Sequence, residues 1–176
     1  MRVLLALALC LPGFAFAAGS GSDTKPSTTN TSSKCKGTQI WDVKTQSCVD
    51  SKESHLDTDT LYGAVRELAY AGRYTDAQGI LQVMADQSDD RVLTYWGFTH
   101  RKLGNARLAQ AFYDRALSQN PDNHLARSYM AQGLIAEGKL DAAIAQWREI
   151  KARGGEGSWA EVSLKKAIET GKTYNY

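Results

Sequence analysis

The sequence predicts an all-α fold built as an array of paired helices, and three observations carry that expectation. From Asp57 to Tyr176 apolar residues recur at helical spacing, as in Leu61, Ala64, Val65 and Leu68, then Ile80, Leu81 and Met84. The same stretch holds a single proline, Pro121. Gly72, Gly104 and Gly138 each close a helical run and stand 32 and 34 residues apart, a period that marks helical repeats rather than an ordinary bundle. Composition agrees with a small globular chain. The 176 residues are 43% apolar and 23% charged, with 3 prolines and a net charge of +2, which excludes collagen-like, wholly disordered and multi-span membrane classes. So small a charge also argues against nucleic acid as the main partner, because phosphate neutralisation needs clustered Lys and Arg.

The N-terminus reads as an export signal. Arg2 supplies a positive start, Val3 to Phe16 is apolar apart from Pro12-Gly13, and Ala15-Phe16-Ala17 gives the small-x-small pattern of a cleavage site. The run is too short and interrupted to span a hydrocarbon core of ~30 Å. Residues 1–17 are therefore expected to be removed, with the mature chain beginning at Ala18. Leu7-Ala8-Leu9-Cys10 partly matches a lipobox, but Leu9 is too bulky for the position before an acylated cysteine. Cleavage leaves 159 residues, 20 basic and 19 acidic side chains and two cysteines. An even cysteine count in an exported chain favours a disulfide, here Cys35–Cys48. The expected address is periplasmic, with secretion as the alternative.

Residues 18–34 are dominated by Ser, Thr, Gly and Asn and hold almost nothing apolar. Such a segment lacks the buried surface to offset its ordering entropy, so a disordered linker is expected. Asn30-Thr31-Ser32 fits a glycosylation acceptor pattern. Residues 35–56 read as a disulfide-linked hairpin segment: Thr38 to Trp41 favours a strand and Asp42 to Thr45 a turn. The spacing Cys, Gly, Trp-Asp, Cys bears a faint likeness to the first half of secreted carbohydrate-binding modules, although their further cysteines are missing. Two readings stay open for this segment, a structural staple and a glycan contact through Trp41.

Residues 57–152 contain three helix pairs. In the middle one Leu93, Trp96, Gly97 and His100 fall on the first helix, Ala109, Tyr113 and Ala116 on the second, and Pro121 follows. The third matches through Met130, Ala131, Leu134, Gly138, Ala143 and Trp147, and the first more loosely through Ala64, Leu68, Gly72, Ala77, Leu81 and Met84. This pattern resembles the tetratricopeptide repeat, W-x2-L-G-x2-Y, then A-x3-F, then P over about 34 residues. Leu93, Trp96 and His100 replace the family's Trp, Leu and Tyr, and all stay bulky. Gly97 and Ala109 are expected to let the two helices of a pair approach closely. Residues 153–176 form a connector, a capping helix and a tail, with Ser158-Trp159-Ala160-Glu161 as a capping box and Gly171 as the C-terminal glycine. The resemblance implies a right-handed superhelical array of about three such pairs, and an array of this kind needs a terminal helix to cover its last apolar face.

The residues offer little for catalysis. His55, His100 and His124 have no metal-ligating partner on a shared helical face, and the chain carries neither a G-x-S-x-G elbow nor a P-loop. No enzyme activity, no metal and no cofactor is expected. Binding is the stronger reading. The resemblance implies a concave groove lined by the first helix of each pair. By register its positions are Asp59, Tyr62, Arg66, Ala69 and Tyr70 in the first unit, Arg91, Thr94, Phe98, Arg101 and Lys102 in the second, and Leu125, Ser128, Gln132, Ile135 and Ala136 in the third. These positions hold four cations against one acid, although residues 59–152 carry eleven charges of each sign. Arg beside Tyr and Phe is a common composition of binding hot spots. The expected partner-binding residues are Tyr62, Arg66, Tyr70, Arg91, Phe98, Arg101, Lys102 and Gln132, with Tyr62, Tyr70 and Phe98 as exposed flat surface. The expected role is an adaptor that binds an extended, acidic segment of a protein or peptide partner. The alternative is a cell-wall or polysaccharide-binding protein that uses Trp41.

Overall fold

The computed structural model describes residues 25, 27–53 and 55–173. Among them the chain is mostly helical, with eight helices and one small antiparallel sheet. The expected signal, the Cys10 motif and the last three residues of the tail lie outside the described residues.

A short helix α1 (Asn30–Lys34) precedes strands β1 (Ile40–Asp42) and β2 (Ser47–Val49). The strands pair with Trp41 opposite Cys48, and Cys35 is bonded to Cys48 with a Cα–Cα distance of 5.6 Å. Asp42 shapes the turn by accepting from the Lys44 backbone N–H at 2.9 Å and the Thr45 hydroxyl at 2.8 Å. A cross-link over so short a loop stabilises the folded segment by about 3 kcal/mol in the chain-entropy account.

Helix α1 corrects the expectation that 18–34 is disordered throughout. Thr29 caps it, and the carboxylate of Glu67 accepts from the Thr29 backbone N–H at 2.6 Å, the Ser32 backbone N–H at 2.9 Å and both hydroxyls. Arg73 reinforces the junction by donating to the carbonyls of Cys35 at 2.9 Å and Gly37 at 3.0 Å. The ordering comes from polar partners 38 residues away, which a local composition argument does not register. Thr31, in the middle of the glycosylation pattern, is buried and its hydroxyl accepts from the Trp41 N–H.

Seven further helices follow: α2 (Thr58–Tyr70), α3 (Tyr74–Leu81), α4 (Asp90–Lys102), α5 (Ala106–Gln119), α6 (His124–Ala136), α7 (Leu140–Ala152) and α8 (Trp159–Thr170). Each of α2, α4 and α6 ends in the same way. Gly72, Gly104 and Gly138 adopt φ of +80°, +85° and +75°, a left-handed conformation open to glycine at no steric cost. The next residue then donates back to the helix, Arg73 to Leu68, Asn105 to His100 and Lys139 to Leu134, at 2.8–2.9 Å. This double closure satisfies the last carbonyls of each helix and turns the chain straight into its partner.

Packing is serial. Helix α2 meets α3 and α4, α4 meets α5 and α6, and α6 meets α7 and α8, while α3, α5 and α7 each also touch the helix that follows. One apolar cluster runs from Ile40 of the hairpin to Met130, and a second joins Ala131, Ala143, Ile150 and Leu164 beneath α8. Fully buried side chains such as Leu68, Ile80, Leu81 and Leu93 contribute about 1.5–3 kcal/mol each through removal from water. Ser158 caps α8 by accepting from the Glu161 N–H at 3.2 Å. The Glu161 carboxylate departs from the expected reciprocal box and instead accepts from Trp147 Nε1 at 2.6 Å, which ties α8 to α7.

Candidate functional site

The face formed by α2, α4 and α6 gathers most of the expected binding residues, and its floor is aromatic. Tyr62, Tyr95 and Tyr129 come from the three helices in turn. The Tyr62 and Tyr95 rings meet edge-on at 5.6 Å, Tyr95 and Tyr129 edge-on at 6.0 Å, and Phe98 packs on Tyr129 at 4.5 Å. Tyr74 of α3 adds an edge contact to Phe98 at 6.1 Å. Such contacts favour edge-to-face geometry because ring edges are positive and faces negative. Burial drives the hydroxyl pKa of Tyr62 and Tyr129 well above the ordinary value, so both stay neutral.

Cations lie over this floor. Arg91 is 5.0 Å and Arg66 5.9 Å from the Tyr62 ring, and Arg101 and Lys102 are 5.5 Å and 5.7 Å from Phe98. Arg91 is also neutralised by carboxylates, meeting Asp89 at 3.0 Å and Asp59 at 3.1 Å. Its pKa is raised, chiefly by the hydrogen bond to Asp89. Burial, followed by the charge of Arg101, lowers the Lys102 ammonium to about 8. Two half-buried cations thus stand side by side on this face. Lys25 stands 5.1 Å from the ring of Tyr70.

The structure revises the exposure of several expected residues. Arg66, Tyr70, Arg91, Arg101 and Lys102 are half-buried, but Tyr62, Phe98 and Gln132 are buried. Tyr62 and Phe98 cannot serve as exposed flat surface because Tyr95 and Tyr129 pack against them; they form the floor on which the cations rest. Tyr95 and Tyr129 were not singled out from the sequence. Their signal was present, since Tyr62, Tyr95 and Tyr129 recur at 33 and 34 residues, close to the glycine period. Trp96 and His100 face α5, where both rings stack on Phe112 at 5.8 Å and 5.5 Å. Trp96 is half-buried at the rim of that contact rather than in the core.

A cleft of about 150 Å³ opens between α4, α5 and α6, lined by Arg101, Gln110, Tyr113, Met130 and Gly133 among others. A second, of about 270 Å³, lies between the N-terminal segment and α2 and includes Trp41, Thr60 and Arg66. Lys34 lies 4.7 Å from the Trp41 ring. Among the described residues no three His, Cys, Asp or Glu side chains gather where they could hold a metal ion, and no helix is long and apolar enough to cross a membrane. No protein-family model, curated protein or solved structure matches the chain.

Proposed function

We propose that this chain is a non-catalytic, tetratricopeptide-type interaction module, exported to the periplasm, that binds an extended acidic segment of a partner protein along α2, α4 and α6. The observation that carries the reading is the unequal charge of that face. Four cations, Arg66, Arg91, Arg101 and Lys102, lie over its aromatic floor, and burial together with the charge of Arg101 lowers the Lys102 ammonium. Guanidinium groups suit carboxylates through paired hydrogen bonds. Repetition of the glycine closure after α2, α4 and α6 and the serial helix contacts support a right-handed repeat array as the scaffold. The glycan reading is weaker, because Lys34 covers part of the Trp41 ring on which a sugar would stack.

A fluorescein-labelled decaglutamate peptide, compared with decaglutamine by anisotropy, tests the proposal. The acidic peptide should bind and weaken as salt rises, since exposed charges are screened over ~8–10 Å. Arg101→Ala should cost about 1–3 kcal/mol of binding, the range for hydrogen bonds to charged groups. Equal, salt-insensitive binding of both peptides would refute the acidic-segment reading. Mass spectrometry of the native protein checks export: a chain beginning near Ala18 is expected, and an intact Met1 contradicts it.

A further inference from the structure

Arg101 has an edge that its stacking on Phe98 leaves unused. Its stem crosses α6 at Gly133, where a Cβ would stand 3.0 Å from the arginine Cδ, so the absence of a side chain there gives the stem its path. The Nε and Nη2 atoms are buried and have no hydrogen-bond partner. These two nitrogens carry the parallel N–H bonds along one edge of the guanidinium, the edge that a carboxylate bridges with both oxygens. The Tyr113 hydroxyl, also buried, lies near the guanidinium without closing a well-formed hydrogen bond. Burial pushes it up to about 12, with Arg101 pulling it down.

Buried donors without acceptors are rare in folded chains because the lost hydration is not replaced. Here two lie on one edge and a third polar group stands beside them, and the residues that carry them, Arg101 and Tyr113, line the cleft between α4, α5 and α6. The carboxylate already on that wall, Glu137, is engaged by Lys139 at 2.8 Å. Lys102 adds positive charge next to Arg101.

We propose that Arg101, Tyr113 and Gly133 form a pocket for one carboxylate, supplied by an Asp or Glu side chain of the segment bound along α4 and α6. The source of the carboxylate rests on the acidic-segment reading above; the pocket itself does not. The guanidinium edge is closed to solvent, so the arginine turns about its stem towards the cleft to receive the ligand. Tyr113 donates to one carboxylate oxygen, and the Arg101 edge donates to both.

The test uses the full chain with 15N-labelled arginine, and Arg101→Lys assigns the Nε–H resonance. N-acetylglutamate methylamide is the one-carboxylate probe and N-acetylglutamine methylamide its neutral counterpart. The acidic probe should move the Arg101 Nε–H resonance downfield and saturate, and the neutral probe should not. Decaglutamate should bind about tenfold more weakly to Arg101→Lys, which keeps the charge and loses the paired edge, and more weakly to Tyr113→Phe, which keeps the ring. A resonance that does not respond to the acidic probe overturns the pocket; if decaglutamate still binds and loses affinity in Arg66→Ala, the groove reading survives without it. A saturating response to the small probe with no peptide binding supports the pocket and overturns its peptide source. Equal peptide affinity in the wild type and Arg101→Lys overturns the paired-edge contact.

Discussion

At Gly97 a missing methyl group sets how closely α4 and α5 approach. A Cβ there would lie 2.6 Å from the Tyr113 ring, well inside van der Waals contact. On an open helix surface Gly to Ala would stabilise by about 0.5–1 kcal/mol; here the ring must move, and overpacking of this kind costs about 1–3 kcal/mol. Gly97→Ala should therefore lower Tm, and an unchanged or raised Tm would mean that Tyr113 has room to yield. The role of Gly97 was legible because glycine at that repeat position has a packing reason. Burial of Tyr62 and Phe98 was not, since register assigns a face and says nothing of what the neighbouring helix places on it. Lys102 makes a second claim at this scale. Its ammonium is lowered from 10.5 to about 8 by burial and by Arg101, so between those values the unfolded chain holds more protons than the folded one. Stability should rise as pH increases through that window, while decaglutamate affinity should fall above about pH 8 as the charge is lost. Parallel urea melts and anisotropy titrations from pH 7 to pH 10 check both signs; affinity that is flat across pH 8 would remove Lys102 from the site.

Among the elements, α1 depends most on a single distant side chain. Glu67 of α2 receives two backbone N–H groups and two hydroxyls from Thr29 and Ser32. Burial opposes its charge, but these hydrogen bonds prevail and the pKa is lowered from 4.5. A carboxylate with a depressed folded pKa contributes stability that is present above the unfolded value and lost as pH falls through the folded one. Hydrogen exchange should accordingly show α1 losing protection as pH falls below the ordinary glutamate value of 4.5, before α4 to α7 do. Glu67→Gln should reproduce that loss at neutral pH with α4 to α7 unchanged; full protection of α1 in the variant would show that the hairpin and Arg73 hold it without the carboxylate. This dependence also explains why the segment read as a tether. Ser, Thr and Asn offer no apolar periodicity, and what orders them is a partner 38 residues away. The helices from α2 to α8 and the cysteine pair were legible for the opposite reason: apolar spacing, terminal glycines and a short Cys–Cys loop act within one or two turns of chain.

At the scale of the whole molecule, contacts pass from each helix to its near neighbours, so local damage should spread a short way. Helix α8 is the clearest place to test this. It covers the second apolar cluster through Leu164, hydrogen-bonds to α7 through Glu161 and Trp147 at 2.6 Å, and meets α6 where Ser128 and Ser163 are 3.3 Å apart. The first cluster, from Ile40 to Met130, contains no residue of α8. Ending the chain after Gly157 should expose Ala131, Ala143 and Ile150 to water and leave the Trp147 N–H without its carboxylate. In a chain whose stability is a sum of nearest-neighbour interfaces, the damage falls off with distance from the cut. Hydrogen exchange should then show α7 and α6 losing protection strongly, α5 and α4 less, and α2 and α3 little. Binding of decaglutamate should weaken less than stability of α7, because Arg66, Arg101 and Lys102 lie on helices further from the cut. A uniform loss of protection from α2 to α7 would instead mark the chain as one cooperative unit, and serial contact alone would then be no guide to how its stability is shared.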